Sequence, residues 1–361
     1  MEQFIQQVVE ENNFKSERLL AILREIQAEF RCISKDAVET VASLLKIERT
    51  QIISVIEFYS FFHLEAVGQY DILISDSITD QMMGKQSLIE YLSKQLNVAI
   101  GSVREDGLVS LNNTSCTGMC DQGPAGLING YALPRLTTQS IDQIVSLITQ
   151  KIALSDWPQS LFEVTDNIHK SNLLLANQIA QGESLKATLQ RGLKQTLEEI
   201  NISGLRGRGG AGFNTAMKWR FCSKEKESER YVICNADEGE PGTFKDRVLL
   251  NSYAHQVFEG MTVCSTIIGS KQGFLYLRGE YLHLYDQLQA VLEQRRQQGL
   301  LGKNIIQSGF DFDIEICLGA GAYICGEESA LIESLEGKRG IPRNRPPYPV
   351  TQGYLNKPTV V

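Results

Sequence analysis

The sequence predicts an α/β protein of two folded units joined by a helical connector, and three observations carry that prediction. Apolar residues recur at three- and four-residue spacing through residues 1–62 and give way to short strand-like runs that end near 150. Residues 151–200 are mostly polar and read as helical. From 204 onward strand and helix alternate, the pattern of a layered α/β domain. At 361 residues the chain is long for one domain, so we divide it into 1–150, a connector at 151–200, and 201–361.

The elements follow in order. FIQQVVEE, LLAILREIQAEF, AVETVASLL and ISVIEFYSFF are helices; Ser34 is a good cap for the third and Glu48 a poorer one for the fourth. YDILIS (70–75) is a strand, KQSLIEYLSKQL a helix, and GLVSLNN and AGLINGY are further strands, which together make a small mixed sheet. HKSNLLLANQIAQGESLKATLQRGLKQTLEEI reads as connecting helix. Beyond it YVICNAD (231–237), GFLYLRGEY (273–281) and FDFDIEICLGA (310–320) are strands. LLNSYAHQVFEGMTVCSTIIG and YLHLYDQLQAVLEQRRQQGLL are the helices between them. Four prolines in GIPRNRPPYPV (340–350) rule out regular structure and predict an ordered surface loop.

Four segments carry chemistry. In GLRGRGGAGFNTAMK (204–218), five glycines in nine positions let the backbone approach a ligand without Cβ hindrance. Successive amides there can converge on an anion, and Arg206, Arg208 and Lys218 add positive charge. Gly207 to Gly212 fits G-x-G-x-x-G, but it follows a helix and turn rather than a strand, and no acidic ribose ligand is placed about 20 residues on. A phosphate or flavin cradle of another kind fits better than an ordinary dinucleotide fingerprint. NADEGEPGTFKDR (235–247) emerges from the strand YVIC, so its polar groups stand at a strand's carboxyl end, where open α/β sheets bind ligands. A solvated acidic turn is the plainer alternative. GAGAYICGEES (319–329) offers small residues, the stacking face of Tyr323, and two carboxylates, Glu327 and Glu328, which helix capping would equally explain. Cys325 reads as a packed thiol, with no histidine within twenty residues. Arg343, Arg345 and Tyr348 on the proline loop supply cations and an aromatic suited to adenine or phosphate, or simply a surface loop.

The bulk numbers exclude several classes. A net charge of −8 argues against general nucleic-acid or anionic-membrane binding. No apolar run approaches the roughly 20 residues of a spanning helix, and the first residues lack the pattern of a secretory signal. Eight scattered cysteines predict reduced thiols in the cytoplasm, and none of the four histidines (His63, His169, His255, His283) has metal-ligand spacing to another.

Taken in order, GLRGRGGAGF, the Lys218-Trp219 pair, CNADEGEPGTFKDR, GAGAYICGEESALIESLEGKRG and PRNRPPYPV closely resemble the flavin-containing NADH-binding subunit of respiratory complex I. The resemblance runs from about residue 183 to the last residue. Residues 1 to about 150 resemble the thioredoxin-like small ferredoxin subunit of the same machinery. Fusion of the two points to the family of diaphorase (alpha) subunits of NAD-reducing soluble hydrogenases. The resemblance implies a helical plus thioredoxin-like domain followed by an α/β FMN/NADH-binding domain.

Carried over by motif, it implies FMN held by Gly207, Arg208, Gly209, Lys218, Asn235, Asp237, Glu238, Gly326 and Glu327. It implies NAD(H) over the flavin against Gly209, Gly210, Ala211, Phe213, Lys218, Glu240, Tyr323 and Glu328, with Arg345 and Tyr348 at the adenine end. The family typically has lysine and phenylalanine at those last two positions. Hydride would pass directly between NAD(H) and FMN, so no separate catalytic side chain is assigned. The implied activity is NADH:acceptor oxidoreduction within a multisubunit hydrogenase, with iron–sulfur subunits as partners, and no nucleic-acid partner or direct membrane insertion. The equivalent subunit of complex I or of an NAD-dependent formate dehydrogenase is the nearest alternative; a catalytically silent scaffold is another. A carboxylate, Glu240 or Glu328, near the adenine ribose would repel a 2′-phosphate and favour NADH over NADPH.

Two departures from the family pattern stand out. A [2Fe–2S] cluster there is held by two cysteine pairs; here the second pair is Cys116 and Cys120, while Ser75 and Asp80 occupy the first pair's positions. Two oxygen ligands suit such a cluster poorly, so no [2Fe–2S] is expected. The family also continues past this point into a segment that carries a [4Fe–4S] motif. No Cys-x-x-Cys-x-x-Cys run occurs here, so the flavin domain is expected to be incomplete at its carboxyl end and that cluster to lie in a missing part or a partner chain.

Overall fold

The structure, a computed structural model, describes residues 1–172, 175–176 and 179–361. The remaining four positions, Leu173, Leu174, Asn177 and Gln178, belong to the expected connector and lie outside the described residues. Four helices open the chain: α1 (Glu2–Glu11), α2 (Leu19–Phe30), α3 (Lys35–Leu45) and α4 (Arg49–Phe58). Ser34 caps α3 by accepting from the Ala37 amide at 3.2 Å, whereas Glu48 makes no such bond to α4. The first sheet follows, from β1 (Tyr70–Ser75), α5 (Ile78–Met82), α6 (Lys85–Leu96), β2 (Ser102–Val103), β3 (Val109–Thr114), β4 (Gly126–Ile128), β5 (Tyr131–Leu133) and α7 (Thr138–Thr149). Its order is β2-β3-β1-β4-β5, with β1 and β3 parallel and the other pairs antiparallel.

The connector departs from expectation. Among the described residues its α-helices are α8 (Glu183–Arg191) and α9 (Leu193–Ile202), with short 3₁₀ turns at Leu154–Asp156 and Gln159–Leu161, while residues 163–172 have no regular structure. The reason is where its groups find partners. Trp157 and Phe162 stack in series beside Tyr70, Gln122 donates to the Thr165 carbonyl at 3.0 Å, and Arg135 donates to the Glu163 carbonyl at 2.8 Å. These contacts lace the segment along the first sheet, and a helix would withdraw the carbonyls they use.

The second half contains α10 (Thr215–Lys224), β6 (Tyr231–Ala236), α11 (Lys245–Ile268), β7 (Gln272–Leu277), α12 (Tyr285–Gln297), β8 (Asp313–Leu318), α13 (Glu328–Leu335) and β9 (Thr359–Val360). Its sheet is parallel throughout, in the order β8-β7-β6-β9. The strand expected over 273–281 ends at Leu277, and Gly279–Leu284 forms a tight 3₁₀ turn. A Cβ at Gly279 would come within 2.8 Å of the Gly319 carbonyl oxygen, so this close approach requires glycine.

Packing groups these elements differently from their order in the chain. The opening helices share a core with one face of the second sheet, where Leu23, Val41 and Ile56 meet Tyr231, Phe274, Tyr276 and Leu331. Tyr59 donates to Ser334 Oγ at 2.7 Å inside that core. The first sheet keeps its own core with α6 and α7. The other face of the second sheet is covered by α11 and α12, and Met119, Leu127 and Ala132 of the first sheet's domain join it.

A buried ion pair fastens the two halves. Arg247, in the first turn of α11 and wholly buried, donates to Asp121 Oδ1 and Oδ2 at 2.9 and 2.8 Å and to the Gly118 carbonyl at 2.9 Å. Burial pushes the Asp121 carboxyl up, but the bidentate Arg247 contact and its charge outweigh that and hold it below the usual carboxylate range. The resulting stabilisation is present at neutral pH and fades as pH falls through that lowered value. Removing one partner strands a buried charge. Asp121→Ala is therefore expected to destabilise the fold by about 3–5 kcal/mol in urea unfolding at pH 7. The deficit should shrink below about pH 4, the ordinary carboxylate range.

Candidate functional site

In the second sheet the chain runs β6, β7, β8 to one side and then returns to place β9 on the other side of β6. The strand order therefore reverses between β6 and β9, and the crevice outside the carboxyl ends at such a reversal is where open α/β sheets take ligands. Three connections leave this edge: 237–244 after β6, 278–284 after β7, and 319–327 after β8. The glycine-rich run before α10, Lys218 on α10, and the proline loop with Arg345 and Tyr348 contribute the rest.

The glycine-rich run lies just ahead of α10. Arg206 bridges Asn214, the Gly207 amide donates to the Phe213 carbonyl at 3.0 Å, and Asn214 caps the helix through the Met217 amide at 2.9 Å. A Cβ placed on Gly209, Gly210 or Gly212 would meet no protein atom within 4 Å. The open face of this loop is thus not filled by the chain itself. Arg208 and Ala211 are exposed on it, and Phe213 leans toward Phe221 with ring centroids 6.5 Å apart.

Lys218 on α10 reaches Glu328 at 3.2 Å and the Val361 carbonyl at 3.1 Å. Arg345 pairs with Glu327 and, at 3.1 Å, with Glu328, and its guanidinium stands 5.9 Å from the Tyr348 ring centroid. Lys218, Glu328, Arg345 and Tyr348 therefore form one continuous chain of contacts. Glu327 doubles as the cap of α13, accepting from the Ser329 and Ala330 amides at 2.9 and 3.0 Å. Asn235 at the end of β6 donates to the Gly326 carbonyl at 2.8 Å, and a Cβ on Gly326 would come within 3.2 Å of the Asp237 carbonyl oxygen. Glu240 is exposed and accepts from the Tyr323 hydroxyl.

Asp237 and Glu238 are neighbours with opposite surroundings. Glu238 is buried and fully engaged, accepting from the Asp246 and Arg247 amides at the start of α11 and from Tyr281 at 2.9 Å. Its carboxylate holds the helix rather than facing the crevice. Asp237 Oδ2 is buried without any partner. Burial, and then the nearby Glu280 charge, push its carboxyl up to about 7 against the opposing pull of Arg278. Arg278 and Glu280 are not singled out by the sequence motifs. They pair at 3.0 Å just past β7, where the RGE run inside GFLYLRGEY places charges beside a strand end. Cys325 is buried, and burial raises its thiol to about 11, in keeping with a packed residue. A separate cavity of about 580 Å³, lined by Tyr131, Trp157, Phe162 and His283 among others, lies away from this crevice.

At Ser75 and Asp80, the positions expected from the resemblance to face a cluster, the oxygen atoms are already committed. Ser75 and Ser77 donate to Asp80 Oδ2 at 2.5 and 2.6 Å, and the Ala125 amide donates to Asp80 Oδ1 at 3.0 Å. Cys116 and Cys120 have their Sγ atoms 3.2 Å apart.

Comparison with known proteins matches both halves. Residues 200–361 match the Nuo51 FMN-binding domain, and residues 5–149 match the thioredoxin-like [2Fe-2S] ferredoxin domain. The alpha subunit of the NAD-reducing hydrogenase HoxS of Cupriavidus necator is 41% identical over the whole of this chain, which spans 62% of that protein. One subunit of the NADH-quinone oxidoreductase of Aquifex aeolicus is 51% identical over 50% of this chain and 42% of its own length. Among solved structures, an NAD⁺-reducing [NiFe]-hydrogenase in its air-oxidised state superposes with a TM-score of 0.88 at 40% identity, covering 96% of this chain and 59% of that one. The chain thus spans about three fifths of the full-length relatives it matches from end to end.

The unpartnered Asp237 carboxyl has a measurable signature. With a native pKa near 7, the folded state keeps a proton that the unfolded state has released above about pH 4. Stability is therefore expected to fall as pH rises from about 4 to 7, by up to about 4 kcal/mol from this group. Asp237→Asn should flatten that part of the profile and stabilise the chain at pH 8, read by urea unfolding across the range. An unchanged slope would mean that the carboxyl is not desolvated.

Proposed function

We propose that this chain, homologous to the alpha subunit of an NAD-reducing hydrogenase, is the NADH:acceptor oxidoreductase (diaphorase) module of a multisubunit complex. It would bind FMN and NAD(H) in the β6–β9 crevice. The observation that carries this reading is the convergence of an unfilled glycine loop and an unpartnered buried carboxyl on one strand-order reversal. These residues fit FMN. The amides of 208–212 and the charge of Arg208 suit its phosphate, while Asn235 and Asp237 offer a donor and an acceptor to ribityl hydroxyls. FMN, when bound, supplies a two-electron acceptor that can release electrons singly.

The chain's own part is to bind and orient. Lys218 is held by Glu328, so it is fixed without being neutralised by a direct hydrogen bond from every side. Tyr323 offers a flat exposed face beside Glu240 for a nicotinamide-bearing dinucleotide, and Arg345 over Tyr348 offers a cationic and aromatic edge for adenine. Glu238 acts at one remove, by setting the turn from which Asp237 and Glu240 project. Partners would be the other subunits of a hydrogenase or NADH dehydrogenase complex, including those that carry iron–sulfur clusters.

The first sheet's domain does not fit a [2Fe–2S] cluster. Asp80 has both carboxylate oxygens satisfied internally and Ser75 is buried against it, so only two thiols remain to bind iron. Its thioredoxin-like fold would then serve packing and docking.

Two measurements test the reading. Full-length chain titrated with FMN and then reduced anaerobically with NADH should bleach; a chain that takes up no FMN would sink the proposal. Gly209→Ala should leave unfolding stability within about 1 kcal/mol, since no protein atom meets the added methyl, yet weaken FMN binding at least about tenfold.

Nucleotide choice can be assigned to one carboxylate. Glu328 is paired to Lys218 and Arg345, which leaves Glu240 as the one free to repel a 2′-phosphate. Glu240→Gln should narrow the preference for NADH over NADPH about tenfold in kcat/KM, a change of about 1.4 kcal/mol. An unaltered ratio would remove Glu240 from that role.

A further inference from the structure

Cys116 and Cys120 sit in the loop between β3 and β4, and among the described residues they are the only two thiols within hydrogen-bonding contact of each other. With Asp80 and Ser75 bonded to each other, each thiol has the other as its nearest reactive partner. The pair is held in a defined frame. The Gly118 amide donates to Cys116 Sγ at 3.4 Å, Arg278 donates to the Cys116 carbonyl, and the Gly242 amide donates to Cys120 Sγ at 3.2 Å. The last contact crosses from the first sheet's domain into the 237–244 turn of the crevice. A disulfide needs its sulfurs about 2.05 Å apart, so closure requires an approach of about 1.2 Å along a line already set.

We propose that Cys116 and Cys120 form a reversible dithiol–disulfide pair, oxidised by low-molecular-weight disulfides such as oxidised glutathione, and that the Gly242 amide transmits its state to the turn bearing Glu240. Cys116 is buried and Cys120 is partly exposed, so an incoming disulfide reaches Cys120 first. Cys120 Sγ attacks one sulfur of the incoming disulfide, forms a mixed disulfide and releases one small thiol. Cys116 Sγ then attacks Cys120 Sγ, forms the internal S–S bond and releases the second. The protein loses two electrons and two protons, and the small disulfide gains both as two thiols.

Closure converts Cys120 Sγ from a thiol into a disulfide sulfur, a weaker acceptor for the Gly242 amide. That amide belongs to the turn closed by Thr243 N–H donating to the Glu240 carbonyl at 3.1 Å. Weakening that bond loosens the turn, and Glu240 with it. The consequence for NADH rests on the role given to Glu240 above; the thiol chemistry does not.

The test uses the full chain equilibrated in glutathione buffers of graded ratio, quenched with acid and alkylated, with peptide masses read around residues 116–120. We expect both thiols to be lost together in one internal bond, reversed by dithiothreitol. Cys116→Ser should instead trap glutathione on Cys120. Hydrogen exchange at the Gly239, Glu240, Gly242 and Thr243 amides should rise about fivefold on oxidation of the wild type and stay fixed in Cys120→Ser, and KM for NADH should rise by a similar factor. Thiols that stay alkylatable in the most oxidising buffer, or two irons per purified chain, would overturn the pair. Internal bond formation with unchanged exchange at 239–243 would overturn the coupling. A chain that fails to bind FMN but still forms the internal bond would defeat the flavin reading alone.

Discussion

The first turn of α11 is the constraint on which the rest of the molecule depends. Its free amides would be costly if buried unpaired, and they are taken up by Glu238, a residue that belongs to the crevice turn. Two residues into the helix, Arg247 reaches across to Asp121 and Gly118 in the first sheet's domain. One turn of helix therefore fixes the ligand-facing segment and the juncture between the halves together. Because both contacts are buried, neither half can shift against the other without uncovering a charge or an unpaired amide.

That rigidity makes room for a local expense. Asp237, adjacent to the most fully satisfied carboxylate in the region, has a buried oxygen with no partner. An unpaired buried oxygen costs about 1–3 kcal/mol, which a fold tolerates where a ligand will complete the bond. The glycine loop shows the same logic in its backbone, since a Cβ on Gly209, Gly210 or Gly212 would meet no protein atom within 4 Å. The two defects lie on the elements that flank one reversal of strand order. Their coincidence is a stronger argument for a binding site than either motif read alone.

Much of this is legible in the residues themselves. Local rules suffice for Ser34 as a cap, for YDILIS and YVICNA as strands, and for the acidic turn at a strand's carboxyl end. What local rules miss is decided at long range. They offer capping as a role for Glu327 and Glu328 because these open a helix, yet Glu238 caps a helix that begins seven residues further along. GFLYLRGEY has strand composition to its end, but Arg278 is drawn to the Glu238 and Cys116 carbonyls, so the chain turns at 278. The connector has helical composition throughout, yet its carbonyls near 163–165 serve Gln122 and Arg135. The opening helices read as partners of the sheet that follows them, and only tertiary packing reveals that the second sheet shares their core.

In the first sheet's domain, serine and aspartate stand where the resemblance expects two cluster ligands. They do not stand idle as poor iron ligands. They bond to each other, to Ser77 and to the Ala125 amide, which leaves Asp80 buried with both oxygens satisfied. Such a network cannot open to accept a metal without breaking several buried hydrogen bonds at about 1 kcal/mol or more each. The two cysteines face each other and accept from the Gly118 and Gly242 amides. Hard ligands thus become structure while soft ligands keep their chemistry, because a thiol satisfied by weak hydrogen bonds remains a nucleophile. The same loop is pinned to α11 through Asp121 and to β7 through Arg278, so whatever happens at the sulfurs is delivered to the crevice through rigid neighbours.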